Sequence, residues 1–373
     1  MTVNESRLVA EFLELVQIDS APKDERLMAD ALLRKLASLG LETYEDDAGK
    51  RIGGNAGNVC AVLEGDPDLP TLLFAAHMDR VSPGRGIKPI VEEGTIRSDG
   101  TTILAADDVA GICAILEGIR AVREQGLHHG RIEVVFTVAE EGGLFGAKNL
   151  DTSKLKAKAG YFLDSTGPVG TVIVQAPAQK SIKARIRGKS AHAGVAPEEG
   201  INAIAAAAKA ITNMKLGRID PETTANIGVI RGGTATNIVP DLVEIEGEAR
   251  SRNEQSLAAQ AAHMVEAINA ACAEFGAQAE IEVIDSYSAY HMKPEDYVVQ
   301  LAVRAAQEIG LEPVQQGTGG GSDANIINSR GIPSVVLGLG YQNIHSTAES
   351  IPIAQLVKAA ELVVSLIRTS TAM

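Results

Sequence analysis

Apolar residues along this chain recur in two rhythms. Residues 4–17 and 22–39 repeat them at helical spacing, and Gly40 supplies a stop for the second stretch. Continuous apolar runs follow in NVCAVLEG (58–65) and TLLFAAHMD (71–79). A helix over 108–125, a strand RIEVVFTVAEE (131–141), a short helical segment and a strand YFLDS (161–165) extend the alternation. Strands that are apolar on both faces, separated by helices, predict an α/β domain with a doubly wound, mostly parallel sheet.

Beyond TVIVQAP (171–177) the pattern changes. SIKARIRG, ANIGVIRGG, LVEIEGEARSR and AEIEVID alternate apolar with polar residues, as half-exposed strands do. Two helical stretches, NAIAAAAKAITNM and SLAAQAAHMVEAINAACAEFG, are interleaved with them. The order is β-α-β-β-α-β, that of a ferredoxin-like α+β sandwich. The first rhythm then resumes, with a helix over 294–309, the stretch GTGGGSD (317–323), a short helix, the strand SVVLGLG and a closing helix over 353–369. The expectation is one α/β domain from residues 1–177 and 288–373, with residues 178–287 inserted as a second domain.

Length agrees with that division, since 373 residues exceed the roughly 100–200 usual for one domain. With 3% aromatic residues and no Trp, the cores must be built from Ala, Val, Ile and Leu. A net charge of −14 argues against nucleic acid or an anionic membrane as partner. Cys60, Cys113 and Cys272 are far apart and odd in number, so neither a disulfide framework nor a cysteine-held zinc is indicated. The first 18 residues are amphipathic and acidic, unlike a secretory signal, and no stretch is apolar enough to span a bilayer, so a cytoplasmic location is expected.

The chemistry gathers at the ends of the apolar runs. His77 and Asp79 close one, Asp107 follows ILAA, Glu140 and Glu141 end another, Asp164 lies in YFLDS, and His345 lies in NIHSTAES. In an open α/β sheet the carboxyl ends of the strands line the ligand crevice. Burying several carboxylates there without cations is costly, and imidazoles among carboxylates suit a pair of divalent metal ions. Each motif has a plain alternative: a hydrogen-bonded buried histidine, a helix cap at Asp108, exposed acids at a strand end. Only their joint occurrence at successive strand ends carries the metal reading. GTGGGSD fits neither phosphate-binding pattern and reads as a loop, Gly319, Gly320 and Gly321 included, where backbone approaches a substrate.

AAHMD, LAADDVAG, AEEGG, FLDS and NIHSTAES together resemble the metal-site motifs of the M20 zinc peptidases, in particular the peptidase T-like branch of tripeptidases and aminopeptidases. The resemblance spans nearly the whole chain. It implies one metal held by His77 and Asp164, a second by Glu141 and His345, and Asp107 bridging both ahead of a cis peptide to Asp108. Glu140 would be the general base acting on a metal-bridging water, and Asp79 the carboxylate that orients His77. The inserted domain would be a lid that mediates homodimerisation, with His192 stabilising the oxyanion, and Asn237 and Arg250 binding the substrate. Zinc is the expected metal, with Co²⁺ or Mn²⁺ as alternatives. Arg80 stands where relatives usually carry a small Thr, and could shape specificity or point outward. The expected activity is hydrolysis of short peptides from the N-terminus. The same metals would also serve an N-acyl amino acid deacylase or a carboxypeptidase-type enzyme, and a noncatalytic metal-binding protein is the remaining alternative.

Overall fold

A computed structural model describes residues 3–373. The chain forms two compact units. One runs up to Val174 and resumes over His291–Gly317 and Ser322–Met373; the other comprises Gln175–Tyr290 and Thr318–Gly321. Residues 175–177 and 288–290, and part of the glycine-rich stretch, therefore fall in the second unit.

In the first unit the wholly buried strand Leu72–His77 lies between Ile132–Thr137 and Ala159–Ser165, parallel to both, and Ser334–Gly338 continues the parallel run. Antiparallel strands flank this core: Val59–Leu63 on one side, with Glu42–Glu45 beyond it, and Thr171–Ala176 on the other. The parallel register sets His77 opposite Thr137, so the segments after both strands leave from one edge of the sheet. Helices Ala106–Glu124 and Ile353–Ser370 pack together. Gly118 permits the close approach, since a Cβ there would sit 2.5 Å from Val363 Cγ1. The chain leaves this unit at Val174, and on return the Met292 N–H donates to the Val174 carbonyl at 2.8 Å.

Several boundaries differ from those the apolar pattern predicts. The second helix starts at Arg26 rather than 22, because Ala21 and Asp24 pair across a turn with Lys23 in left-handed backbone (φ 71°). The strand expected over 131–141 ends at Thr137, and Ala139 (φ 49°) turns the chain. Pro89–Glu92, Thr95–Ser98 and Ser350–Pro352 form a small sheet too polar to stand out in the sequence.

The second unit is a five-stranded antiparallel sheet in the order Gly217–Arg218, Thr223–Gly232, Leu242–Ser251, Ala178–Arg187, Gln278–Tyr287. Its long strands follow the ferredoxin-like order, with helices Ala203–Asn213 and Glu254–Phe275 against it. Ile182, Ala184 and Ile186 are buried while Lys183, Arg185 and Arg187 are exposed, the two-residue period of a sheet covered on one side. Ala203, Ala206, Ala207 and Ala210 form the buried stripe of the shorter helix, and Asn202 caps it by accepting from the Ala205 N–H. Among the described residues, no helix is long and apolar enough to cross a membrane.

Candidate metal centre

The segments beyond the sheet edge converge on Asp107. Its Oδ1 lies 3.0 Å from His77 Nε2, and its Oδ2 lies 3.3 Å from His345 Nε2. One carboxylate thus presents each oxygen to a different imidazole. On the first side Asp164 Oδ1 is 3.9 Å from His77 Nε2; on the second, Glu141 Oε1 is 2.8 Å from His345 Nε2. His77, Asp107 and Asp164 form one set of ligand atoms lying within 4.8 Å of one another, and Asp107, Glu141 and His345 form another.

The crowding shows in the protonation equilibria. Burial alone would lower the pKa of His77, but hydrogen bonding to Asp107 and Asp79 raises it well above its usual range. His345 is pushed up to about 10, first by Asp107 and then by Glu141. Burial raises the carboxyls of Asp164 and Glu140 far above the ordinary range, with neighbouring carboxylates adding to the shift. Asp107 is buried as well, yet its two imidazole partners hold it low. The two imidazoles are the positive partners facing Asp107 in an acidic cluster, which is the electrostatic demand a dication answers.

Backbone contacts hold these side chains in place. His77 Nδ1 lies 3.0 Å from the Asp79 carbonyl, and 3.6 Å from Asp79 Oδ1. The Asp79 carboxylate instead accepts the backbone N–H groups of Glu140 at 2.9 Å and Glu141 at 3.1 Å. Asp79 therefore serves two loops: its carbonyl faces the imidazole, and its side chain fixes the Glu140–Glu141 turn. Asp107–Asp108 is a cis peptide. Asp108 does not cap the following helix; its Oδ2 accepts the His77 backbone N–H at 3.1 Å.

The model of Peptidase family M20/M25/M40 matches residues 73–369. The chain belongs to this family. Its sequence is 50% identical to the uncharacterized protein YqjE of Bacillus subtilis (strain 168) over 365 residues, 98% of each chain. The crystal structure of aminopeptidase PepT from Bacillus cereus ATCC 10987 covers 99% of both chains at 50% identity, with a TM-score of 0.89. That of a tripeptidase from Staphylococcus aureus subsp. aureus mu50 covers all of both chains at 45% identity, with a TM-score of 0.95. Within the M20 family this chain is peptidase T-like.

Other expected residues of this M20 peptidase lie in the second unit. His192 is exposed and accepts the Gly194 N–H at Nδ1, 3.2 Å away, while the carbonyl of Asn237, also exposed, accepts the Ala193 N–H at 3.0 Å. Arg250 forms a two-pronged pair with Glu248, at 2.8 and 3.1 Å. The three glycines differ. A Cβ on Gly319 would meet open space, whereas one on Gly321 would fall 2.3 Å from the Tyr287 ring, so at Gly321 packing against that ring is what demands glycine.

Arg80 does not point outward. It is 2% exposed, donates from Nη1 to the Val16 carbonyl at 2.7 Å, and has its pKa lowered to about 10 by burial despite Asp19, Glu349 and Asp79 nearby. Sequence reasoning missed several supporting groups. The Glu25 carboxylate accepts the Lys23 and Ala139 N–H groups, Tyr341 Oη donates to Asp164 at 3.4 Å, and Asp323 accepts from Thr137 Oγ1 at 2.5 Å. Glu349, 1% exposed, accepts three backbone N–H groups around Asp107. Asp323 and Glu349 each lie within the predicted loops GTGGGSD and NIHSTAES, and that position was their only signal in the sequence.

Proposed function

We propose that the chain is a two-metal exopeptidase that hydrolyses short peptides and releases the N-terminal residue. The observation that carries this reading is the Asp107 carboxylate, with one oxygen facing each imidazole and a further carboxylate on either side. Two nitrogen donors among carboxylate oxygens fit zinc, and also Co²⁺ or Mn²⁺. His77 and Asp164 would hold one ion, Glu141 and His345 the other, and Asp107 would span both. Bound there, two dications supply Lewis acidity, which stabilises charge on the scissile carbonyl oxygen and makes water easier to deprotonate.

The remaining work falls to the chain. His77, with Nδ1 toward the Asp79 carbonyl, holds its proton there and leaves the Nε2 lone pair free for a ligand bond. Glu140 takes a proton from the attacking water at its carboxylate and returns it to the leaving amine. Its desolvation, with Asp164 and Asp323 nearby, favours keeping that proton until the amine departs, against the pull of His77. Asp79 holds the backbone of Glu140 and Glu141. In this reading His192 donates to the developing oxyanion, Asn237 and Arg250 bind the peptide backbone or its terminal carboxylate, and Gly319 to Gly321 line the substrate path. The second unit serves as lid and dimer contact, and the enzyme works in the cytoplasm on free peptides.

The names of the aminopeptidase and tripeptidase relatives favour N-terminal cleavage of unblocked peptides. The test pairs metal analysis with a panel of free tripeptides, N-acetylated amino acids and N-blocked peptides. Two equivalents of metal and turnover of free tripeptides are expected. Turnover confined to blocked substrates would instead assign a deacylase or carboxypeptidase-type activity, and none on any substrate would leave a noncatalytic metal-binding protein.

A further inference from the structure

We propose that Glu349 is the positioning residue of the metal centre, holding the segment that carries Asp107 at the separation from His345 that two shared cations require. The proposal rests on the two-metal reading above. Glu349 Oε2 accepts the backbone N–H groups of Leu104 and Ala105 at 2.8 and 2.9 Å, and Oε1 accepts that of Asp107 at 3.0 Å. These amides lie just ahead of the regular turns of helix Ala106–Glu124, because Asp107 (φ −83°, ψ 99°) and Asp108 (φ −125°, ψ 32°) interrupt its first turn and leave the backbone donors there without helical partners. A helix is ordinarily capped by the residue just before its first turn. Here Ala105 has no side-chain acceptor and Asp108, at the kink, turns its carboxylate to the His77 N–H, so the acceptor comes from a segment 242 residues away in sequence.

That segment also carries His345, four residues before Glu349, and it is internally braced. Gln342 and Ser350 exchange backbone hydrogen bonds at 2.8 and 3.1 Å. The Glu349 N–H donates to the Ser346 carbonyl at 3.1 Å, and Ser346 Oγ donates to the Asn343 carbonyl at 2.7 Å. Ser350–Pro352 pairs with Thr95–Ser98, anchoring the far end in a sheet. Imidazole and carboxylate thus project from one braced frame, the first toward the Asp107 side chain and the second onto its backbone. Fixing both ends of one residue from the same frame sets the distance between the shared ligand and His345. A carboxylate is needed because three N–H groups converge on two oxygens. An amide has one acceptor, and its NH₂ would face a donor.

Glu349→Gln tests the assignment. Metal-free wild type and variant are titrated with Zn²⁺ against a chromogenic chelator, and with Co²⁺ by visible absorption. Glu117→Gln, in the same helix but outside the ligand sets, is the comparator for plain loss of stability. Wild type is expected to bind two ions. Glu349→Gln should bind the weaker one about 10–100-fold less tightly, the usual effect of losing a group that orients a ligand, and its Co²⁺ spectrum should change. Glu117→Gln should lose thermal stability and keep both affinities. If Glu349→Gln binds both ions within twofold of wild type with an unchanged spectrum, Glu349 is a helix cap and the proposal is overturned, whatever its melting temperature. If Glu349→Gln does not fold, Glu349→Asp, which keeps the charge and shortens the reach, is judged by the same affinities. A wild-type protein that binds fewer than two ions would sink the two-metal reading itself, a different result from unchanged affinities in the variant.

Discussion

The carboxylate of Asp79 accepts the backbone N–H of Glu140 at 2.9 Å, and with its other oxygen that of Glu141 at 3.1 Å. The proposed base and a proposed ligand therefore inherit their positions from one side chain. Asp79→Asn keeps the shape but turns an NH₂ toward one of the two amides. The variant should lose about 10–100-fold in kcat/KM on a tripeptide, as outer partners of metal ligands usually do. Steady-state kinetics at saturating metal would show it, and unchanged kinetics would remove Asp79 from the working centre.

Glu140 belongs to neither set of ligand atoms. Glu140→Gln should therefore bind metal normally while its kcat falls about 10²–10⁴-fold, the range for loss of a general base. Metal stoichiometry and turnover measured on one preparation check this, and near-normal turnover would assign the base elsewhere.

Removing metal should cost stability as well as activity. A ligand that binds only the folded state contributes about 2.7 kcal/mol when present at a hundred times its Kd. Dialysis against a chelator should abolish peptide hydrolysis and lower the melting temperature, and Zn²⁺, Co²⁺ or Mn²⁺ should restore both. A melting temperature indifferent to chelation would count against ions held by these residues.

Glu117 gives a pH-dependent prediction remote from the ligands. Burial alone would raise its carboxyl, but hydrogen bonds from Arg7, the Asn4 backbone and Arg120 hold it below its usual 4.5. Its ionised form is favoured in the folded state, so its contribution is complete above about pH 4.5 and fades as pH falls through the lower folded value. Glu117→Gln should therefore melt several degrees below wild type at pH 7, from a loss of about 1.5–3 kcal/mol. The gap should persist to about pH 5 and narrow below 4.5. A gap independent of pH down to 3 would contradict the assignment.

What was legible in the sequence followed from periodicity and from the ends of apolar runs. His77 and Asp164 lie at the ends of strands of the parallel sheet and Glu140 and Glu141 just past another, so their approach could be anticipated; Asp107, after a loop, and His345, in a polar segment, were tied to them by the motif resemblance. Glu349, Glu25 and Asp323 could not be found this way. They bind distant backbone amides or a lone hydroxyl, and an acid that accepts a main-chain N–H leaves no pairing pattern in residue types. Arg80 was opaque for a related reason: a guanidinium beside a metal motif reads as solvated until the chain around Val16 and Gly84 closes over it. The early turn at Lys23 and the end of the strand at Thr137 were set by left-handed backbone at non-glycine residues, which composition does not signal.

The hydrogen bond from Met292 to Val174 places the two ends of a long excursion side by side. The segment between them leaves and rejoins the first unit within one hydrogen bond, and a tight reverse turn would join Val174 to Met292 without stretching the backbone on either side. The amides and carboxylates around Asp107 all belong to the first unit, so their lattice closes on itself without any residue of the long excursion.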